Sequence, residues 1–480
     1  MNKNKGTVSL FEKLLFASGD MYGGGAQIII SFFYLIFLTD VVGLRMALAG
    51  VVVMISKIWD AVSDPLMGVL TDNTQGKYGR RRPYFLAGFF GIIAAFVLLW
   101  NAVAFESQTA IFIYVLFSYL FYSTVQTMVM VPYAAMSSEI SNDYDERTNV
   151  NGMRLFFSQF ATLLCAVLPL EIVKLMPTVR GGYLLMAAVF AVFFALPYMF
   201  MFFFTKERVP HDGTKGDVRW RTFVEPFKVR TFRNLLGIYM CSFLAMDIVS
   251  TVFAYYMKYY MNRPGELNYV LGTMLVIQTV LVPVVVVLAK KIGKARTVIA
   301  SVAVWLAGVI YMGVLQPHWP GWVIYSVAAI VGVGIVGCVV MAWTMYPDVT
   351  DVGEWAFKRR NAGSFGGIMT FMRKFSAAIG VFVVSQILAL AGYVEPVNEL
   401  IGGKTVTTEF PQPATVITAL KIIVLALPLV LLALTYFFAK RYPLDRAAYD
   451  KLSVALKKQR GESDTGLSAE EEEALKQELI

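Results

Sequence analysis

Lys57, Asp60 and Asp64 stand inside an apolar run long enough to cross a bilayer. An ionised side chain at membrane depth costs about 2.5–3.5 kcal/mol even on the gentlest insertion scale. With about 3.6 residues per turn, positions 57, 60 and 64 fall within ~60° of one another on a helix. Two carboxylates and one ammonium therefore share one narrow face, which cannot look at lipid. It must meet a water-filled cavity, partner helices or a bound cation. Small hard cations take oxygen ligands, and two close carboxylates either hold a cation or share a proton, because adjacent negative charges resist joint ionisation. An oxygen-rich site inside the membrane is what cation-coupled transport requires. The competing reading makes Lys57 the charge partner of Asp60 in a buried structural pair. The two readings coexist if the pair opens during a transport cycle.

Other charges fall at informative places. Asp247 lies near the middle of the seventh apolar run and is the most isolated intramembrane charge of the C-terminal half, so it is a candidate substrate contact. Asp20 lies near the end of the first run. Asp72 with Arg80, Arg81 and Arg82, and Asp348, Asp351 and Glu354 with Lys358, Arg359 and Arg360, sit at span ends. Such clusters suit a gate on the cytoplasmic side. Each pair is worth little alone, yet a few kcal/mol biases a two-state equilibrium. Topology alone is the bland explanation of the arginines.

The elements that must position these groups are membrane helices. The 480 residues are 57% hydrophobic and only 16% charged, with a mean hydropathy of +0.62; soluble domains carry about 25% charge. Runs of about 20 apolar residues cross ~30 Å of hydrocarbon. Twelve such runs occur, at about 19–39, 46–70, 84–104, 109–135, 151–173, 182–204, 233–259, 268–289, 297–316, 320–346, 364–391 and 415–439. The expected organisation is an N-terminal six-helix bundle (1–205), a cytoplasmic linker (206–232), a C-terminal six-helix bundle (233–440) and a cytoplasmic tail (441–480). Residues 1–13 read as a short polar, basic lead, and 392–414 as the longest outer loop. In the tail, Ser468-Ala-Glu-Glu471 reads as a capping box opening a short acidic helix on a solvated appendage.

Lysines and arginines of the N-terminal lead, of the loops after the second, eighth and tenth runs, of the linker and of the tail collect on one side, which the positive-inside rule makes cytoplasmic together with both termini. The net charge of +9 is thus a topology signal and not a nucleic-acid one. The three cysteines, Cys165, Cys241 and Cys338, lie in apolar segments without metal spacing. The only histidines, His211 and His318, fall in loops, which excludes an intramembrane histidine proton relay. The halves echo each other: a glycine and a basic cluster follow the second span (Gly79-Arg-Arg-Arg82) and the eighth (Lys290-Lys-Ile-Gly-Lys294). A duplicated bundle places its substrate site near the midplane.

Thr39-Asp-Val-Val-Gly43, Ile58-Trp-Asp-Ala-Val-Ser-Asp-Pro65 and Gly79-Arg-Arg-Arg-Pro83, with Asp348-Val-Thr-Asp-Val-Gly-Glu-Trp355 and Gly392-Tyr-Val394, resemble the glycoside–pentoside–hexuronide:cation symporters, the melibiose permease group of the major facilitator superfamily. The resemblance covers nearly all of residues 10–440. It implies an all-α membrane protein with twelve transmembrane helices in two six-helix bundles. It also implies uptake of a sugar or glycoside with Na⁺, Li⁺ or H⁺ by alternating access across the inner (plasma) membrane. On it, Asp60 and Asp64 match the family's cation-site acids and Thr127 its threonine, while Ser63 replaces an asparagine. Two acids of the family's sugar pocket fall on Gly24 and Met130, a tryptophan on Ala134 and a tyrosine on Gln126. Arg154, Thr370 and Lys374 are kept. Gln126, Arg154, Asp247, Thr370 and Lys374 form the candidate substrate set.

Loss of two acids makes this pocket more positive and suits an anionic hexuronide; replacement by Asp20 and Asp247 suits a neutral glycoside, which ranks first. The expected partners are a small sugar, the coupling cation and membrane lipid, with the protein a monomer. No metal or other cofactor and no nucleic acid are expected. A lipid or lysolipid transporter of the same fold is the alternative, favoured by Met130 and Ala134 and opposed by Gln126, Thr127, Arg154 and Lys374. An enzyme is excluded by the lack of nucleophile and metal motifs. A channel is disfavoured because the charges are site-like and form no rings.

Overall fold

The computed structural model describes residues 8–74, 76–140, 144–208, 224–358, 362–401, 404–408, 410–460 and 467–480. Eleven helices among the described residues are long and apolar enough to cross a membrane. The first span differs in kind. A short helix α1 (Leu10–Ser18) leads into α2 (Asp20–Ile29), and π-helical turns at Ile30–Tyr34 and Phe37–Val41 complete the crossing. The polar lead is therefore helical from Leu10 on. Ser9 caps α1 by accepting from the Glu12 backbone N–H, and Phe16 and Ala17 are buried.

The chain forms two compact units. The first comprises 1–216, 263–272 and 381–419. In it α2 packs on α6 (Tyr144–Val173), α3 (Met46–Asn73) on α5 (Gln108–Glu139), and α4 (Arg82–Leu99) on α5 and α7 (Val179–Phe204). Its centre is aromatic. Trp100 and Tyr183 stack at 5.8 Å and 5°, and Tyr22, Tyr34, Tyr119, Tyr122, Tyr133 and Tyr198 are fully buried. The Gly79–Arg82 turn closes around one carboxylate: the backbone N–H groups of Arg80 and Arg81 donate to Glu207 at 3.0 and 2.7 Å. Gly79, with φ +96°, supplies the left-handed residue this turn needs. The segment expected as a plain outer loop contains an antiparallel hairpin, β1 (Val397–Ile401) with β2 (Lys404–Thr408). Just before it Tyr393 donates to buried Asp40 at 2.5 Å.

The second unit comprises 217–262, 273–380 and 420–480. It contains α8 (Arg230–Tyr255), most of α9 (Leu267–Ile292), α10 (Lys294–Val314), α11 (Gly321–Phe357), the first part of α12 (Ala362–Leu390) and most of α13 (Ala414–Lys440). The α10–α11 crossing is made by small residues. A Cβ on Gly334 would stand 2.5 Å from the Trp305 Cα and 2.6 Å from its N. Only a bare backbone fits there, as in the small-residue contacts of membrane helices.

The tail is not a solvated appendage. Helices α14 (Arg446–Gln459) and α15 (Ala469–Leu479) fold against the second unit. Leu452, Leu456, Leu475 and Leu479 are buried at helical spacing. The Arg230 N–H and the Thr231 hydroxyl donate to the carbonyls of Ile480 and Leu479, at 3.1 and 2.8 Å. The capping box is present as read, with Ser468 and Glu471 bonded reciprocally.

Candidate cation and substrate sites

Helix α3 carries the charged trio. Lys57 Nζ lies 3.1 Å from Asp60 Oδ2, with the two side chains 9% and 1% exposed. The facing helix α5 brings hydroxyls at one-turn spacing. Ser123 donates to Asp60 Oδ1, and Thr127 donates to Asp64 Oδ1 at 2.7 Å. Ser63 Oγ lies 3.4 Å from Thr127 Oγ1. Trp59 Nε1 donates to Thr124 at 2.9 Å, which pins the same helix pair. Pro65, inside α3, removes the N–H that would bond the Ala61 carbonyl. The result is a buried group of carboxylate and hydroxyl oxygens beside one ammonium. With both acids ionised the trio carries one net negative charge, which one monovalent cation or one proton neutralises. All four sequence-derived cation residues come together. Ser123 was not among them, although its place one turn before Thr127 on the same face was the available signal.

The substrate candidates divide between the units. In the first, Arg154 Nε lies 3.4 Å from Asp20 Oδ2, both 15% exposed, and its guanidinium stands 4.5 Å from the Tyr133 ring centroid. Gln126 on α5 is partly exposed. In the second unit, buried Asp247 accepts from Arg373 Nη1 at 2.6 Å and Nη2 at 3.0 Å. Arg373 is the missed residue here. The buried acid on α8 demanded a cation, and Arg373 stands beside the Lys374 that the sequence singles out. Thr370 is exposed and Lys374 partly so, within a turn of Arg373. Asp20 and Asp247 each meet a guanidinium, Arg154 in the first unit and Arg373 in the second.

The gate residues have more local partners than their charges suggest. Arg81 Nη1 donates to Thr71 at 2.6 Å, and Arg82 Nε donates to the Phe202 carbonyl at 3.0 Å. Arg80 bonds Glu207 through its backbone. The Asp72 side chain, Arg359 and Arg360 lie outside the described residues. Lys294 holds Asp348 at 2.5 Å. Asp351 accepts from the Tyr449 hydroxyl at 2.8 Å, and Glu354 takes a two-pronged bond from Arg460, at 2.7 and 2.8 Å. Asp351 and Glu354 thus bind the tail, which span-end charge counting cannot foresee. Burial and the Asp351 carboxylate push the Tyr449 hydroxyl up to about 12.

Eleven membrane-length helices among the described residues, a broken first span and intramembrane charge pairs describe a polytopic helical membrane protein. Residues 15–446 match the family of MFS/sugar transport proteins, and the chain belongs to that family. The isoprimeverose transporter of Lactiplantibacillus pentosus is 25% identical over 402 residues, covering 82% of each chain. The sodium-dependent lysophosphatidylcholine symporter 1-A of Danio rerio is 25% identical, covering 95% of this chain and 90% of its own. Among solved structures, the nucleoside transporter NupG superposes with a TM-score of 0.57 at 12% identity, covering 89% of this chain and 97% of its own. The last likeness carries the fold alone. The protein is accordingly a multi-pass transporter of the major facilitator type, and not an enzyme.

Proposed function

We propose that the protein moves a neutral sugar or glycoside inward across the inner (plasma) membrane together with Na⁺, Li⁺ or H⁺, by alternating access. In this reading it acts as a monomer with both termini cytoplasmic. The observation that carries it is the buried cluster in which Ser123 and Thr127 of α5 bond the Asp60 and Asp64 carboxylates of α3 beside Lys57. Neutralising its net negative charge removes the cost of moving that charge through a low-dielectric interior. Binding thus favours one conformation over the other by the difference in its affinity for the two. Sugar hydroxyls both donate and accept, and the Asp20–Arg154 and Asp247–Arg373 pairs offer both functions. The Asp20 and Asp247 carboxylates in these pairs, which would repel a substrate carboxylate, favour a neutral glycoside over a hexuronide. The lysolipid reading keeps one support, a relative whose printed name is a lysophosphatidylcholine symporter.

The test is uptake into proteoliposomes of isoprimeverose, a β-galactoside, a β-glucuronide and lysophosphatidylcholine. Each is run under a Na⁺ gradient, a pH gradient or none. Gradient-driven accumulation of a neutral sugar, lost in Asp60→Asn, is expected. Accumulation of the lysolipid alone sinks the sugar reading, and intact coupling in Asp60→Asn sinks the cation site.

A further inference from the structure

The cation acids occur once in the chain, but another charged arrangement occurs twice. In the N-terminal half the first span gives Asp20 and the fifth gives Arg154, with the Phe16 ring, four residues before Asp20, 6.0 Å from the guanidinium. In the C-terminal half the first span gives Asp247 and the fifth gives Arg373, with Phe243 under the guanidinium at 4.6 Å. The second span of the C-terminal half, Leu267–Ile292, carries no acid at all. A duplicated plan that holds the acid–guanidinium–aromatic trio in both halves, and the cation acids in one, separates two tasks. Coupling belongs to α3; the trio serves something each half does.

The C-terminal trio has the features of a carbohydrate subsite. A Cβ on Gly380 would lie 3.1 Å from the Asp247 Cβ, so α12 approaches α8 closely there. Two turns earlier on α12, Arg373 reaches the carboxylate with both terminal nitrogens. These bonds use two of its five N–H donors. Phe243 fixes the guanidinium plane from below. Tyr239 follows at 4.5 Å from Phe243, and Trp343 stands edge-on to Tyr239 at 5.5 Å and 89°, with 46% of its surface exposed. The Tyr239 hydroxyl is buried without a hydrogen-bond partner among the described residues. A polar ligand satisfies such a group. A buried ion pair seldom adds stability over apolar packing.

We propose that Arg373 and Asp247, with Tyr239, Phe243 and Trp343, form a sugar subsite of the C-terminal half, in which the guanidinium and carboxylate trade bonds with each other for bonds to neighbouring hydroxyls of one pyranose ring. The aromatic group meets the apolar face of that ring. The inference rests on the sugar-transport reading and adds residues that the sequence motifs do not mark.

The experiment is proteoliposome uptake of isoprimeverose, or of the best-carried sugar of the panel above, and of its monodeoxy analogues. The proteins are wild type, Asp247→Asn, Arg373→Lys, Trp343→Ala and the exchanged pair Asp247→Arg/Arg373→Asp, all checked for monodispersity. The expected result is a rise in half-saturation of about tenfold or more for each single variant. One deoxy analogue should lose uptake in wild type yet be indistinguishable from the parent sugar in Asp247→Asn. The exchanged pair should stay monodisperse without regaining uptake. Recovery of uptake by the exchange makes the pair purely structural and overturns the subsite. Where the exchanged protein does not fold, the other variants decide: unchanged half-saturation in Arg373→Lys and Trp343→Ala overturns it equally. Wild type that carries no sugar overturns the transport reading and this inference together; normal wild-type uptake with indifferent variants overturns this inference alone.

Discussion

Ser123 shows how one hydroxyl alters a charged site. It bonds one Asp60 oxygen while the Lys57 ammonium holds the other. A hydrogen bond to an ionised group contributes about 1.5–3 kcal/mol. Ser123→Ala is therefore expected to raise the cation concentration for half-maximal uptake by about tenfold or more, with protein yield unchanged. Cation-activation curves in proteoliposomes measure this; an unchanged curve removes Ser123 from the site. Removing the ammonium is a different matter. Lys57→Ala leaves the Asp60 carboxyl, 1% exposed, without its ammonium and beside a second acid, and breaking a buried pair costs about 3–5 kcal/mol. Its expected outcome is loss of folded protein, read as yield of monodisperse material, with recovery in Lys57→Ala/Asp60→Ala. Asp60 and Asp64 were legible because charges inside an apolar run violate the hydropathy pattern. Ser123 and Arg373 were not, because a serine violates nothing and an arginine beside a lysine is masked by its neighbour.

Helices were legible for the same reason in reverse: about 20 apolar residues in a row have few alternatives in lipid. What hydropathy does not encode is how the backbone runs within a span. The π-turns of Ile30–Tyr34 and Phe37–Val41 have the same composition as a regular helix. The hairpin 397–408 lies outside the apolar pattern altogether. Close crossings are legible only as glycine content. Gly334 is one whose reason is now visible, since its missing Cβ would meet the Trp305 backbone rather than a flexible side chain. Gly334→Val must therefore separate α10 from α11, and overpacking of this kind costs about 1–3 kcal/mol or more. A lower unfolding temperature in detergent is expected. Gly265→Ala, where nothing stands within 4 Å of the added carbon, serves as the control. Equal unfolding temperatures for the two would show that α10 and α11 have room to spare.

At the scale of the whole chain, the tail converts span-end acids into a docking surface. Its amphipathic spacing was readable in Leu452, Leu456, Leu475 and Leu479; its target was not, because Asp351 and Glu354 lie about a hundred residues away in sequence. Three contacts of different chemistry hold it: the Arg460–Glu354 fork, the Tyr449–Asp351 bond, and the carbonyls of Leu479 and Ile480 on the start of α8. The tyrosine makes docking depend on pH with a definite sign. Its hydroxyl ionises near 10 when free and is pushed up to about 12 when docked beside Asp351. Docked and free tails are both protonated below pH 10, so the contribution is complete there. It is lost as the pH rises from 10 through about 12, because the free tail gives up its proton first. A dye on Lys458→Cys in a background without the native cysteines should show high anisotropy at pH 8 and a fall beginning near pH 10. Tyr449→Phe lacks the ionising hydroxyl and should start lower but stay level over that window. Arg460→Gln should lower anisotropy at every pH while keeping the slope. A titration identical in wild type and Tyr449→Phe would mean that the fork and the leucines hold the tail without the tyrosine.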